Sequence, residues 1–161
     1  MDFMLLPGEQ LLMSGTANKW QTVGSKGGHL YLTNQRIIFK AHALNFGSKL
    51  DEYYLTNIWT QGNTVKIFTS SNLISFNITM YTQMGEKVSF VVKKSQKDEW
   101  IRQLTYAVSA IAYARNPVMQ MQMNGPATQL RVTQCSGCGA FVILSGGTAV
   151  TCDYCNRPVI G

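Results

Sequence analysis

All four cysteines of this chain fall within its last 27 residues, spaced Cys135-x2-Cys138-x13-Cys152-x2-Cys155. Each Cys-x2-Cys turn aims two thiolates at one point and two such turns complete a tetrahedron, so the spacing predicts one zinc ion held by Cys135, Cys138, Cys152 and Cys155. Two disulfides are one alternative, which needs an oxidising compartment. A redox-active pair is the other, expected as a single Cys-x2-Cys in a βαβ context. Four sulfur ligands close the coordination sphere, leaving no position for water or substrate, so the zinc is read as a structural staple.

Residues 130–161 are too few to bury a self-sufficient core without such a cross-link. Within them Phe141–Leu144 reads as a strand, Ser145-Gly146-Gly147 as a turn, Thr148–Thr151 as the returning strand and Pro158–Ile160 as a third. The 13 residues between the cysteine pairs match a short β-hairpin. Gly137 and Gly139 flank Cys138, where the backbone must turn tightly for its amides to face the sulfurs. The expectation is a zinc ribbon. The order Cys-x2-Cys, apolar run, Gly-rich turn and Val150 two residues before Cys152 resembles the zinc fingers of the plant lesion-simulating-disease family. One residue is missing between the pairs relative to that family, and Gly139 stands where it carries Arg. The resemblance covers the tail alone and implies architecture only.

The 161 residues, 45% hydrophobic and 14% charged, suit one globular domain plus a small module, and no run approaches 18 consecutive apolar residues. The opening Met1-Asp2-Phe3-Met4-Leu5-Leu6-Pro7 has no basic stretch and a broken apolar run, so it reads as structure rather than an export signal. A soluble, cytoplasmic protein is expected, with thiols kept reduced for zinc. The formal charge is +6, and residues 1–115 carry 12 of the 14 basic and 7 of the 8 acidic side chains. Four thiolates around Zn²⁺ add a net of minus two, so the positive field belongs to the first domain. Such an excess suits an anionic membrane surface or nucleic acid, and is also an ordinary solvated surface.

Residues 1–115 read as an all-β unit closed by one helix. Strand candidates are Gln10–Ala17, His29–Thr33, Arg36–Lys40, Asp51–Leu55, Ile58–Gln61, Thr64–Thr69, Leu73–Met80 and Lys87–Val92, punctuated by Asn34-Gln35, Gly62-Asn63, Ser70-Ser71-Asn72 and Gly85-Glu86. Ser95 is placed as a helix N-cap, with Asp98 and Glu99 in the first turn. Trp100, Leu104, Val108 and Ile111, with Ile101 and Ala107, form one apolar face, and Pro117 closes the helix. Residues 116–129, rich in Met, Gln and Pro, read as a linker. This divides the chain into 1–115, 116–129 and 130–161.

A run of strands followed by one amphipathic helix is the plan of a pleckstrin-homology-like (PH-like) seven-stranded barrel capped by a C-terminal helix. The residues Leu6-Pro7-Gly8-Glu9, the block Gly27–Phe39 that contains Leu30-Tyr31-Leu32-Thr33-Asn34-Gln35-Arg36-Ile37-Ile38-Phe39, Tyr54-Leu55-Thr56-Asn57-Ile58 and the Trp100 helix resemble a GRAM domain over roughly residues 5–115. The same block is similar to the GRAM-type half of the WW-domain-binding proteins, without their Pro-Pro-x-Tyr tails. The resemblance implies a membrane-associated module, some members binding phosphoinositides or other anionic lipids. A phosphate site needs converging cations, usually in the first loop. The residues offered for it are Lys19, Lys26, Arg36 and Lys40, with Trp20 and His29 nearby. Arg36 has a competing structural reading, ordering the Thr33-Asn34 turn.

No enzyme is expected. His29 and His42 lack an acid partner at triad spacing, and Gly24-x2-Gly27-Gly28 has no helix after it to present amides to phosphate. The leading expectation is a non-enzymatic adaptor that binds an anionic membrane lipid or a protein partner, with the ribbon as a second interaction surface. The alternative is a protein-interaction or homo-oligomerisation module working through strand edges. Nucleic-acid binding ranks last, since the ribbon carries only Arg131 and Arg157, with Phe141 and Tyr154 as its expected exposed aromatics.

Overall fold

Alternation drives the strands. Leu30 and Leu32, then Phe76, Ile78 and Met80, then Val88, Phe90 and Val92 bury every second side chain, as period-two pleating requires. A computed structural model describes residues 3–22, 24–42, 50–115, 131–144 and 149–161. The linker read at 116–129 and the turn Ser145–Gly147 lie outside them. The strands are β1 (Leu11–Trp20), β2 (Ser25–Thr33), β3 (Arg36–Ala41), β4 (Leu50–Tyr54), β5 (Thr60–Gln61), β6 (Thr64–Ser71), β7 (Ser75–Tyr81) and β8 (Lys87–Lys93). A 3₁₀ turn at Lys94–Gln96 leads into helix α1 (Lys97–Arg115). The strands β9 (Arg131–Gln134), β10 (Ala140–Leu144), β11 (Val150–Thr151) and β12 (Pro158–Val159) follow.

The antiparallel sheet runs β4-β3-β2-β1-β8-β7-β6-β10-β9, with β5 also on β6, while β11 and β12 pair separately. Two expectations are corrected. The sheet curls around one core as an open barrel, not a closed one, since β4 and β9 end the strand order. Nor is the helix C-terminal: it lies mid-chain, because two later strands return to the sheet and extend it past β6. The expected hairpin between the cysteine pairs also differs. Strand β10 pairs with β9 and with β6, not with β11, so each Cys-x2-Cys is instead the turn of its own hairpin, β9–β10 or β11–β12.

Helix α1 fills the open side with Trp100, Leu104, Ala107, Val108 and Ile111, all buried in the main core. Strand β10 serves two cores. Its Phe141 is fully buried in the barrel core with Ile143 packed beside it, while Ala140, Val142 and Leu144 face a second cluster with Cys135, Cys152 and Val159. Phe141 is therefore no exposed ribbon aromatic: the pairing of β10 on β6 turns its ring into the barrel.

The turn between β2 and β3 is clamped by the N-terminal segment. The Thr33 hydroxyl accepts the Gln35 and Arg36 amides at 3.1 and 2.9 Å and donates to Glu9 Oε1 at 2.7 Å. Asn34 Oδ1 accepts the Gln10 amide, and Gln35 Nε2 donates to the Pro7 carbonyl. The Pro7-Gly8-Glu9 and Thr33–Arg36 motifs are thus two halves of one hydrogen-bonded unit.

Candidate metal centre and charged sites

The two Cys-x2-Cys turns have the same backbone construction. In the first, the Gly139 amide donates to the Cys135 carbonyl and the Cys135 amide to the Ala140 carbonyl, both at 2.8 Å. In the second, Asn156 donates to Cys152 and Cys152 to Arg157, again both at 2.8 Å. The residue after each second cysteine is left-handed, Gly139 at φ 74° and Asn156 at φ 59°. Glycine and asparagine tolerate that region best. The turns face each other so closely that a Cβ on Gly137 would lie 2.5 Å from Arg157 Cδ.

The four sulfurs all lie within 4.8 Å of one another. The Cys135–Cys155 and Cys138–Cys152 pairs stand 3.4 and 3.7 Å apart. A tetrahedron with metal–sulfur bonds of about 2.3 Å has edges of about 3.8 Å, whereas a disulfide needs about 2.05 Å. The donor set therefore fits one thiophilic metal ion. Burial pushes the Cys135 thiol up, but amides of Cys138 and Gly137 and the neighbouring thiols outweigh it and bring it down to about 7. Burial and the three other cysteines push Cys138 up to about 12. Four thiols this close cannot all ionise without a cation between them, and a metal relieves that repulsion.

Both turns are fastened to β6. The Gly139 carbonyl accepts the Thr69 amide at 3.2 Å, and Gln134 Nε2 donates to Thr69 Oγ1 at 2.6 Å. On the other side the Asn63 amide donates to Asp153 Oδ2 at 3.0 Å, and Thr64 Oγ1 reaches the same oxygen at 3.2 Å. Tyr154 packs edge-on against Phe68, ring centroids 4.8 Å apart, and Lys66 Nζ sits 3.1 Å over the Trp59 ring and 5.8 Å from the Tyr154 ring centroid. Sequence reasoning missed these barrel partners; the signal lay in the small residues Gly62 and Gly139, which permit the close approach.

The four cations read as lipid ligands divide between two faces. Lys19 and Lys26 are direct cross-strand partners on β1 and β2. Lys19 Nζ is bound by Asp51 at 3.0 Å and by the Tyr53 hydroxyl, and Tyr53 belongs to the core. Burial pushes the Lys19 ammonium down, but Tyr53 and Asp51 outweigh it and hold it above its ordinary value. Lys26 is buried. Arg36 is buried too, its guanidinium forked onto Glu9 at 2.8 and 2.9 Å and reaching Glu52 and the Met4 carbonyl at 2.7 Å. Glu52 lies between Asp51 and Tyr53 on β4, so strand alternation sets Arg36 on the face opposite Lys19. Lys40 is half-buried, four residues beyond Arg36 on β3.

The described residues contain no helix long and apolar enough to cross a membrane. Among solved structures, the chain is similar to a Vps36 N-terminal PH domain, at 17% identity and a TM-score of 0.51, covering 69% of this chain and 85% of that one. It is also similar to the C-terminal domain of an unknown protein from Leishmania infantum, at 19% identity and a TM-score of 0.47, covering 63% and 85%. The first likeness is one of fold: mainly β and PH-like. No curated protein matches the chain. The GRAM domain model matches residues 1–104, nearly two thirds of the sequence and all of β1 to β8; the chain belongs to the GRAM domain family.

Proposed function

We propose that this chain is a non-enzymatic adaptor, a GRAM/PH-like module that docks on an anionic membrane surface from the cytoplasmic side, with one structural zinc held by Cys135, Cys138, Cys152 and Cys155. The observation that carries the reading is the GRAM domain match over residues 1–104, and the pairing of β10 with both β6 and β9 makes the sulfur cluster a fastening on the same sheet. Zinc supplies no reaction in such a closed set; bound there, it neutralises thiolates and locks the two turns together. The excess of 12 basic over 7 acidic side chains in residues 1–115 supports an attraction of the module for acidic lipid.

The test has two parts. Metal analysis of freshly purified, reduced protein is expected to find one equivalent of zinc, and less than half an equivalent overturns the metal assignment. Vesicle co-sedimentation is expected to rise with phosphatidylserine content and fall with salt. Absence of binding at every composition overturns the membrane reading and favours a protein partner, for which the terminal strands β4 and β9 offer edges.

A further inference from the structure

A membrane contact joins apolar side chains held out in solvent to cations beside them. In this chain the two coincide at the turn between β6 and β7. Leu73 and Ile74 are 92% and 86% exposed, and among the described residues no other adjacent pair of large hydrophobics is as bare. The turn that carries them is held by Asn72, whose Oδ1 accepts the amides of Ile74 at 3.0 Å and Ser75 at 2.7 Å and the Ser75 hydroxyl at 3.0 Å. The aliphatic pair is thus presented by an ordered backbone, so that little conformational freedom is lost on insertion.

Charge follows the same turn. Lys93 is exposed and lies directly across from Ser75 in the β7–β8 ladder. Lys94 is exposed and donates to the Leu73 carbonyl at 3.4 Å. The first turn of the following helix carries two acids, Asp98, which is exposed, and Glu99, which is engaged by Arg102 and Gln103; with Lys97 beside them, the lysines at 93, 94 and 97 leave this end of the sheet positive. Met84, 96% exposed, lacks this combination: it shares its groove with Glu52 and Glu86. The first loop lacks it as well, since Lys19 is spent on Asp51 and Tyr53.

We propose that the β6–β7 turn is the membrane wedge of this module: Leu73 and Ile74 enter the interfacial layer of an anionic bilayer while Lys93 and Lys94 meet its headgroups. This rests on the membrane reading above. A convex turn with two bare aliphatic side chains and two flanking ammonium groups matches a deformable, negatively charged interface, and it moves the contact away from the first loop.

The test is co-sedimentation of the full zinc-loaded chain with phosphatidylcholine vesicles, with and without about one-third phosphatidylserine. The variants are Leu73→Ser/Ile74→Ser, Lys93→Ala/Lys94→Ala and Lys19→Ala. Because Leu73 and Ile74 touch little of the protein, the tip variant is expected to melt like the wild type. It should lose at least about tenfold in affinity for the acidic vesicles. The lysine variant should lose about fivefold or more, and only at low salt, while Lys19→Ala should bind as the wild type does. Wild-type binding that the folded tip variant retains overturns the wedge and leaves the membrane reading standing. A wild type that binds no vesicle overturns both.

Discussion

Thr64 and Asp153, 89 positions apart in sequence, hold each other in both directions: the Asp153 amide donates to Thr64 Oγ1 at 3.0 Å, and Thr64 Oγ1 reaches Asp153 Oδ2 at 3.2 Å. The same hydroxyl lies 4.0 Å from the Cys152 sulfur. One threonine at the start of β6 therefore ties the barrel to the second Cys-x2-Cys turn.

Replacing Thr64 by Val keeps the β-branched shape and strands the Asp153 amide without its acceptor. The bond is part-buried, and losing it costs about 0.5–1.5 kcal/mol. Thr64→Val is expected to lower the melting temperature and to speed zinc release to a chelator, followed with a colorimetric zinc dye.

Because Phe141 is in the barrel core, the cysteine-bearing tail and the barrel should unfold together. Phe141→Ala is expected to destabilise the whole protein by about 3–5 kcal/mol in urea titration. Chelation of the metal should likewise lower the barrel's own transition, monitored through buried Trp100. A tryptophan signal unmoved by chelation would show that the tail opens alone.

A Cβ at Gly139 would stand 2.4 Å from the Thr69 carbonyl oxygen, on a backbone at φ 74°. The left-handed conformation alone costs about 1–2 kcal/mol for a residue with a side chain. Gly139→Ala is expected to disrupt the β6 contact and reduce metal retention more than Gly85→Ala, where φ is 82° but nothing lies within 4 Å. The difference between the two melting temperatures isolates the steric part.

Glu9 and Arg36 give an acid-sensitive clamp. Burial pushes the Glu9 carboxyl up, but Arg36, the Leu6 amide and Thr33 outweigh it and hold it below its ordinary value of 4.5. A depressed carboxylate contributes stability that is present above 4.5 and lost as pH falls through the lower, folded-state value. Melting temperature should therefore drop below about pH 4.5, and Glu9→Gln should flatten that drop while lowering stability at neutral pH. Arg36→Met, which leaves Glu9 buried without its partner, should cost about 3–5 kcal/mol.

Much of the strand plan was legible because its signals are local. The β2–β3 hairpin around Asn34-Gln35, the alternation of Phe76, Ile78 and Met80, and the apolar face of α1 announce themselves within windows of a dozen residues. The convergence of four cysteines was equally readable, since Cys-x2-Cys spacing is a local geometric device. Strand β9 was missed: Arg131-Val132-Thr133-Gln134 is short and polar, and it becomes a strand only by pairing with β10.

What the sequence by itself determined is most of the elements and the convergence of the four cysteines, because periodicity, turn chemistry and ligand spacing act between near neighbours. Only the tertiary structure decided their destinations. Phe141 went into the barrel core because β10 found the edge of β6, a pairing across more than seventy residues that no local pattern encodes. Lys19 and Arg36 look alike as cations in a line of text, yet strand alternation placed them on opposite faces, one on Asp51 and Tyr53 and the other on Glu9 and Glu52. A charge acts through whatever lies within a few ångströms of it, and in a sheet those neighbours come from other strands.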